Sequence, residues 1–180
     1  MKVGNEKVLG GLGGIGIALS FLPLIGTLIA VAGYILFLMA VYDIGRVYKD
    51  DKIFKWSLIG VILSTVGLFL ILLFGVGLDF LSSPNLMSVG YKPSLGIGGQ
   101  IAILFGVAVY IYSYFLIYKA LKSISEYVNV SLFKIAGIFL FAGSILTVIV
   151  IGVLVNLIGW LLVGISFFRL PEEYPLAKQE

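Results

Sequence analysis

The sequence predicts an all-α integral membrane protein, a bundle of six transmembrane helices held by glycine-mediated packing, with N-in/C-in topology. Three observations carry this reading. Residues of the set AVILMFWYC make up 61% of the 180-residue chain and only 12% are charged, about half the ~25% of an ordinary soluble domain. The chain's mean hydropathy is +1.16, and its apolar residues fall into segments close to the roughly 20 residues that cross about 30 Å of hydrocarbon. Lysine and arginine collect at one side of those segments.

Six segments are read along the chain: 8–22, 24–44, 53–77, 97–118, 133–150 and 152–169. The first follows a weakly basic start, Met1–Lys7, and has the length of a signal-peptide core. No small-x-small cleavage site follows it, so it is read as a retained helix. Pro23 separates it from the second segment, since proline lacks the donor that a continuing helix needs. Taken as one helix, 8–44 would be about 55 Å long and would overshoot the bilayer. The same argument divides 133–169, where Gly152 supplies permissive backbone for a reversal. Between the third and fourth segments, 78–97 is the one sizeable loop, and its Pro84, Gly90, Pro93 and scattered apolar residues predict a segment lying on the interface. Residues 170–180 read as a polar cytoplasmic tail, and the whole of 1–180 as one transmembrane domain.

Charge fixes the orientation, because Lys and Arg accumulate in short cytoplasmic loops. With six spans and an internal N terminus, Lys2, Lys7, Arg46, Lys49, Lys52, Lys55, Lys119, Lys122, Lys134, Arg169 and Lys178 lie inside and only Lys92 lies outside. Four spans would move Lys2, Lys7, Arg169 and Lys178 to the outer side and spoil that asymmetry. Tyr42, Tyr48, Trp56, Tyr118, Phe167 and Phe168 near the inner surface agree with aromatic anchoring.

The chain has no His and no Cys. That removes the imidazole base, the thiolate nucleophile, and the usual zinc, copper, haem and iron–sulfur ligands, so no metal and no cofactor is expected. The net charge of +3 follows from the inner-loop residues rather than from a nucleic-acid surface, and no nucleic-acid partner is expected.

Self-comparison finds two repeats. A shift of 126 places Ile25, Gly26, Leu28, Gly33 and Leu36 on Ile151, Gly152, Leu154, Gly159 and Leu162, with Tyr34 on Trp160. A shift of 79 places Tyr48, Phe54 and Lys55 on Tyr127, Phe133 and Lys134. Repeats running in the same direction imply a pseudo-twofold axis along the membrane normal, as in some transporters; chance matching within an apolar alphabet is the alternative. Glycines recur at seven-residue spacing in Gly26/Gly33, Gly60/Gly67, Gly99/Gly106 and Gly152/Gly159. Seven residues return to nearly the same helix face, and small residues let membrane helices approach closely. Gly10 and Gly14 form a GxxxG that serves either this bundle or another protein.

Few polar groups lie within the spans. Asp43 and Arg169 are equivalent under the 126 shift, with opposite sign, so an inner-face ion pair between them is one expectation; separate snorkelling to water, with Asp43 meeting Arg46, is the other. Tyr110, Tyr114 and Tyr118 recur every four residues and form the candidate ligand or pathway surface, with helix carbonyls and hydroxyls as alternative partners for the phenols. Tyr42-Asp43 with Gly75-Val76-Gly77-Leu78-Asp79 resembles the motifs of two-aspartate intramembrane proteases, but Asp43 ends one span at the inner surface and Asp79 ends the next at the outer surface, roughly a bilayer apart, and no catalytic residue is assigned.

The runs Tyr48-Lys49-Asp50-Asp51-Lys52-Ile53-Phe54-Lys55, Leu132-Phe133-Lys134 and Phe167-Phe168-Arg169-Leu170-Pro171-Glu172-Glu173 resemble an uncharacterised archaeal family of polytopic membrane proteins with no assigned activity. The resemblance implies a protein of an archaeal plasma membrane and carries over no catalytic or binding residue. The functional expectation is a non-enzymatic membrane component, accessory or structural, that packs against lipid, other membrane subunits or copies of itself. The alternative is a small-solute transporter or channel built from parallel hairpin repeats.

Overall fold

The computed structural model describes residues 3–22, 25–74, 97–147 and 151–175. These form six α-helices: α1 Glu6–Ala18, α2 Gly26–Tyr48, α3 Asp51–Leu72, α4 Ile97–Val128, α5 Ser131–Leu146 and α6 Ile151–Phe168. No strand forms among the described residues. Lys2, Pro23, Asp79, Lys92, Lys178 and loop residues 78–96 lie outside them. The division before Gly26 falls where the sequence places it, whereas α5 ends at Leu146, earlier than expected, and Gly152 lies inside α6 against the backbone of Thr147 rather than in the reversal.

Four helices, α2, α3, α4 and α6, are long and apolar enough to cross a membrane. The other two are short, with 13 residues in α1 and 16 in α5, or about 20 and 24 Å at 1.5 Å per residue. α4 runs ten residues beyond the expected 97–118. Lys119 ends the apolar run but not the helix, since lysine is a good helix former, and its ammonium lies over the rings of Phe115 at 4.9 Å and Trp56 at 5.5 Å. Lys122 pairs with Glu126 one turn on, at 3.9 Å.

Every described charged residue lies at one end of the bundle, where α1, α3 and α5 begin and α2, α4 and α6 finish. Two tight turns there share one design. Lys49 (φ 54°) and Asn129 (φ 56°) are left-handed and end α2 and α4, after which one extended residue starts the next helix. In the first turn the Asp50 carboxylate accepts from the Lys52 amide at 3.0 Å, an N-cap that satisfies an orphan donor of α3. The run Lys49-Asp50-Asp51-Lys52 is therefore a cap and a first helical turn.

Packing follows chain order. Each helix packs on the next, and α1 packs on α6, which closes the six into a ring whose thinnest seam is α2–α3. The buried positions recur three times around it. On the even helices they are Gly26/Gly106/Gly152, Gly33/Ser113/Gly159, Phe37/Ile117/Val163, Ala40/Ala120/Ser166, Val41/Leu121/Phe167 and Ile44/Ile124/Leu170, every one buried. On the odd helices they are Gly11/Ser57/Gly137, Gly14/Gly60/Leu140 and Ala18/Ser64/Ser144, again all buried. The chain is thus three helical hairpins in an approximate threefold arrangement, not two halves about a twofold axis. The 126 shift relates the first hairpin to the third; the 79 shift misses the true register by one residue, since both the left-handed turns and the burial stripes align at 80. That correction places Tyr34 on Tyr114.

Glycines set the helix separations. A Cβ on Gly33 would lie 2.8 Å from the Gly13 carbonyl, on Gly60 2.9 Å from the Ser113 carbonyl, on Gly67 2.8 Å from the Tyr110 amide, and on Gly159 3.0 Å from the Leu140 amide. Gly26, Gly106 and Gly152 meet neighbouring backbone in the same way, whereas Gly99 is only part-buried near the start of α4. Gly10 and Gly14 face α6: Phe167 packs on Gly10, and a Cβ on Gly14 would lie 2.5 Å from the Gly164 amide. The GxxxG of α1 is therefore spent inside the chain. Gly33→Val is expected to destabilise the bundle by about 1–3 kcal/mol through overpacking. Gly98→Ala, with nothing within 4 Å, is expected to be neutral or slightly stabilising, and thermal unfolding in detergent compares the two.

Candidate functional site

The three hairpins each present one large aromatic ring at the same register of their second helix: Tyr34, Tyr114 and Trp160. Tyr34 and Trp160 meet edge to face with ring centroids 5.5 Å apart, and the Tyr34 hydroxyl is directed at the hydroxyls of Tyr114 and Ser64. Tyr110 donates to the Tyr114 hydroxyl at 3.4 Å and also faces Thr147. Five hydroxyls therefore converge between the helices. Toward the charged end they are closed off by apolar rings, with Phe37 edge-on to Trp160 at 5.3 Å and to Phe167 at 6.2 Å, and Phe133 on Phe167 at 4.9 Å.

Of the predicted tyrosine stripe, Tyr110 and Tyr114 belong to this cluster and Tyr118 does not. A four-residue step turns about 40° past a full helix turn, so two steps carry Tyr118 onto the α4–α5 seam. There it stacks on Phe141 at 6.4 Å, and a Cβ on Gly137 would lie 3.0 Å from its ring. Tyr34 and Trp160, which complete the cluster, were visible in the sequence only as partners under the 126 shift. Ser64 and Thr147 also bond within their own helices, Ser64 with Thr65 to the Val61 carbonyl at 2.8 and 3.0 Å and Thr147 to that of Gly143 at 2.8 Å, and outside the cluster Ser166 donates to the Leu162 carbonyl at 2.6 Å. Asn156 is buried against α5, its amide oriented to donate to the Leu140 carbonyl and accept from the Ser144 amide, each at 3.3 Å.

The charged end is a second polar site. The Val3 amide donates to the Glu172 carbonyl at 2.9 Å, which ties the two terminal segments together. The Tyr48 and Tyr127 rings stack at 4.7 Å; Tyr48 donates to the Tyr127 carbonyl at 3.2 Å and Tyr127 donates to the Asp50 carboxylate at 3.2 Å. Tyr174 packs edge-on to Tyr48 at 5.7 Å, and its burial, reinforced by the Glu6 carboxylate, pushes its phenol well above the usual tyrosine range. The expected polar tail is thus docked through Tyr174, because Leu170 and Tyr174 bury their side chains (2% and 6% exposed); 176–180 lie outside the described residues.

Asp43 and Arg169 do not pair. Equivalent positions of α2 and α6 lie on different hairpins, so the shared register separates them around the ring. Asp43 faces Arg46 and Glu6, and Arg169 is exposed. Among the described residues no group of three or more acidic, His or Cys side chains could hold a metal ion.

A family described as a protein of unknown function (DUF996) matches residues 29–161, from the first turn of α2 to within α6. An uncharacterized protein of Methanocaldococcus jannaschii is 32% identical over 179 residues, which cover 96% of this chain and 96% of the relative. No solved structure matches.

The hydroxyl cluster makes a testable energetic statement. Tyr110→Phe and Tyr114→Phe are each expected to cost about 1 kcal/mol, with the double substitution costing less than their sum because they remove one shared bond. Trp160→Ala is expected to cost about 3–5 kcal/mol. Unfolding of the wild type and the four variants in detergent measures all four values.

Proposed function

The chain belongs to the DUF996 family, and we propose that it is a non-catalytic multi-pass protein of the plasma membrane, crossing it six times with both termini in the cytoplasm, that serves as an accessory or structural component against protein or lipid partners. The segregation of every described charge to one end supports the topology, since an even number of crossings returns the chain to the basic side. The short α1 and α5 are accommodated by local thinning or by their polar flanks.

The observation that carries the functional reading is the filled centre. At the depth of Tyr34, Tyr114 and Trp160 the three hairpins meet, Tyr34 edge to face with Trp160 and hydroxyl to hydroxyl with Tyr114, and the next turn, Phe37, Ile117 and Val163, is fully buried. Such a core leaves lipid-facing surfaces as the places where the protein does its work. One of them breaks the threefold pattern: α4 reaches about 48 Å, and with α3 it extends past the other hairpins, exposing Phe69, Leu72, Ile101, Leu104 and Phe105. A membrane partner of the same length would cover that extension.

Transport is the second reading, favoured by the hydroxyl cluster at mid-depth. It requires water to reach Tyr34, Tyr110 and Tyr114. In a Trp56→Phe background Trp160 is the sole tryptophan. Blue-shifted emission unaffected by iodide is the outcome expected of a filled core, and red-shifted, iodide-quenched emission would favour a path. Because the chain has no cysteine, single substitutions test the topology cleanly. Lys7→Cys, Lys55→Cys and Lys134→Cys are expected to label from the cytoplasmic side, and Asn85→Cys from the other.

A further inference from the structure

The α2–α3 turn carries a charge pattern that its structural repeat lacks. A cleft of about 440 Å³ opens at the charged end between the two helices, lined by Tyr42, Arg46 and Lys49 from α2 and its cap, and by Asp51, Phe54 and Lys55 from α3. Tyr42 and Phe54 meet edge to face at 5.2 Å and form its apolar wall. The three cations have no carboxylate within ion-pair distance, for the one ion pair among the described residues is Lys122–Glu126. The equivalent α4–α5 turn has the same backbone, yet Glu126 stands where α2 has Arg46, Asn129 where it has Lys49, and Ile135 where α3 has Lys55.

We infer that this cleft binds the phosphate headgroup of an anionic membrane phospholipid, with Arg46, Lys49 and Lys55 as the ligating cations. The inference rests on the membrane reading of the bundle. Asp51 is the one carboxylate among the residues lining the cleft, and even with Asp43 facing Arg46 from beside it the three cations leave a positive site, where a guanidinium pairs with phosphate through parallel hydrogen bonds. Basic pockets between helices at the cytoplasmic surface are the places where such headgroups bind. The site also has room for the tail. Met39 and Ile35 lie one and two turns from Tyr42 on the same side of α2, both about half exposed (50% and 55%), and the α2–α3 seam is the thinnest of the ring. An acyl chain laid along that seam places its phosphate between Arg46 and Lys49.

The test uses the full chain in dodecyl maltoside, titrated with phosphatidylglycerol, with phosphatidylcholine and with inorganic phosphate, and read by native mass spectrometry of retained lipid and by melting temperature. Phosphatidylglycerol is expected to stay bound at one copy and raise the melting temperature, while phosphatidylcholine does neither. Arg46→Gln with Lys49→Asn, which keeps a residue suited to the left-handed turn, is expected to weaken that binding about tenfold or more. Lys55→Gln gives a milder version of the same loss, and Lys122→Gln with Lys134→Gln at the equivalent turn leaves binding unchanged. Equal retention of the two lipids, an unaffected Arg46/Lys49 variant, or equal loss in the Lys122/Lys134 variant would overturn the proposal. So would stabilisation by inorganic phosphate alone, which would make the ligand a soluble anion. A chain that stays monodisperse without detergent would instead sink the membrane reading, and the phosphate titration on that soluble chain would still report on the cleft.

Discussion

The contact between the first helix and the last holds the architecture together. Three hairpins strung along a chain bury only the face within each pair; their second helices also carry a stripe of Phe, Trp, Tyr and Ile that needs a common axis. Closing α1 onto α6 supplies it. In a lipid environment apolar surface gains little from leaving the solvent, so closure relies on dispersion between close backbones. Gly10, Gly14 and Gly164 permit that approach, with Phe167 and Phe168 laid over Gly10 and Gly11. Once the ring is shut, Tyr34, Trp160 and Tyr114 meet, and the hydroxyls around them find partners they would lack facing hydrocarbon.

The threefold pattern explains which residues are alike and which are free to differ. Positions turned inward repeat in size or in burial across all three hairpins, down to Ala18, Ser64 and Ser144 on the odd helices. Positions turned outward at the charged end do not. There one turn is basic and open, another is balanced by Lys122 and Glu126, and the chain termini form a third arrangement in which Val3, Glu172 and Tyr174 close the bundle. A common scaffold with one distinctive turn suits a protein whose surfaces, rather than its interior, carry specificity.

Much of the fold was legible because hydrophobic length, charge asymmetry and glycine spacing are local or nearly local signals. The six helices and the divisions near Pro23 and Gly152 follow from them directly. Three features were not legible. The end of α4 lies beyond the expected 97–118 because Lys119 ends the apolar run without ending the helix, its ammonium resting over Trp56, 63 residues away in sequence. The repeat in the second hairpin was hidden because its Ser113, Ile117 and Leu121 share burial, not identity, with Gly33, Phe37 and Val41. The tyrosine stripe was read by spacing alone, which kept Tyr118 in line with Tyr114 although helical drift turns it away, and which gave no sign that Tyr34 and Trp160 supply the other walls. Asp43 and Arg169 show the converse: equivalence under a repeat implies separation around an axis, not contact.

The most direct measurement of the closed ring is oxidation of the Val3→Cys/Glu172→Cys variant in native membranes. The backbones of these residues are hydrogen-bonded at 2.9 Å, and the natural chain has no cysteine to compete. The ring predicts a rapid intramolecular disulfide in the double variant alone, seen as a faster-migrating monomer that reverts on reduction. A double variant that stays reduced, or that yields only crosslinked dimers, would contradict the closure of α1 onto α6 and with it the threefold core.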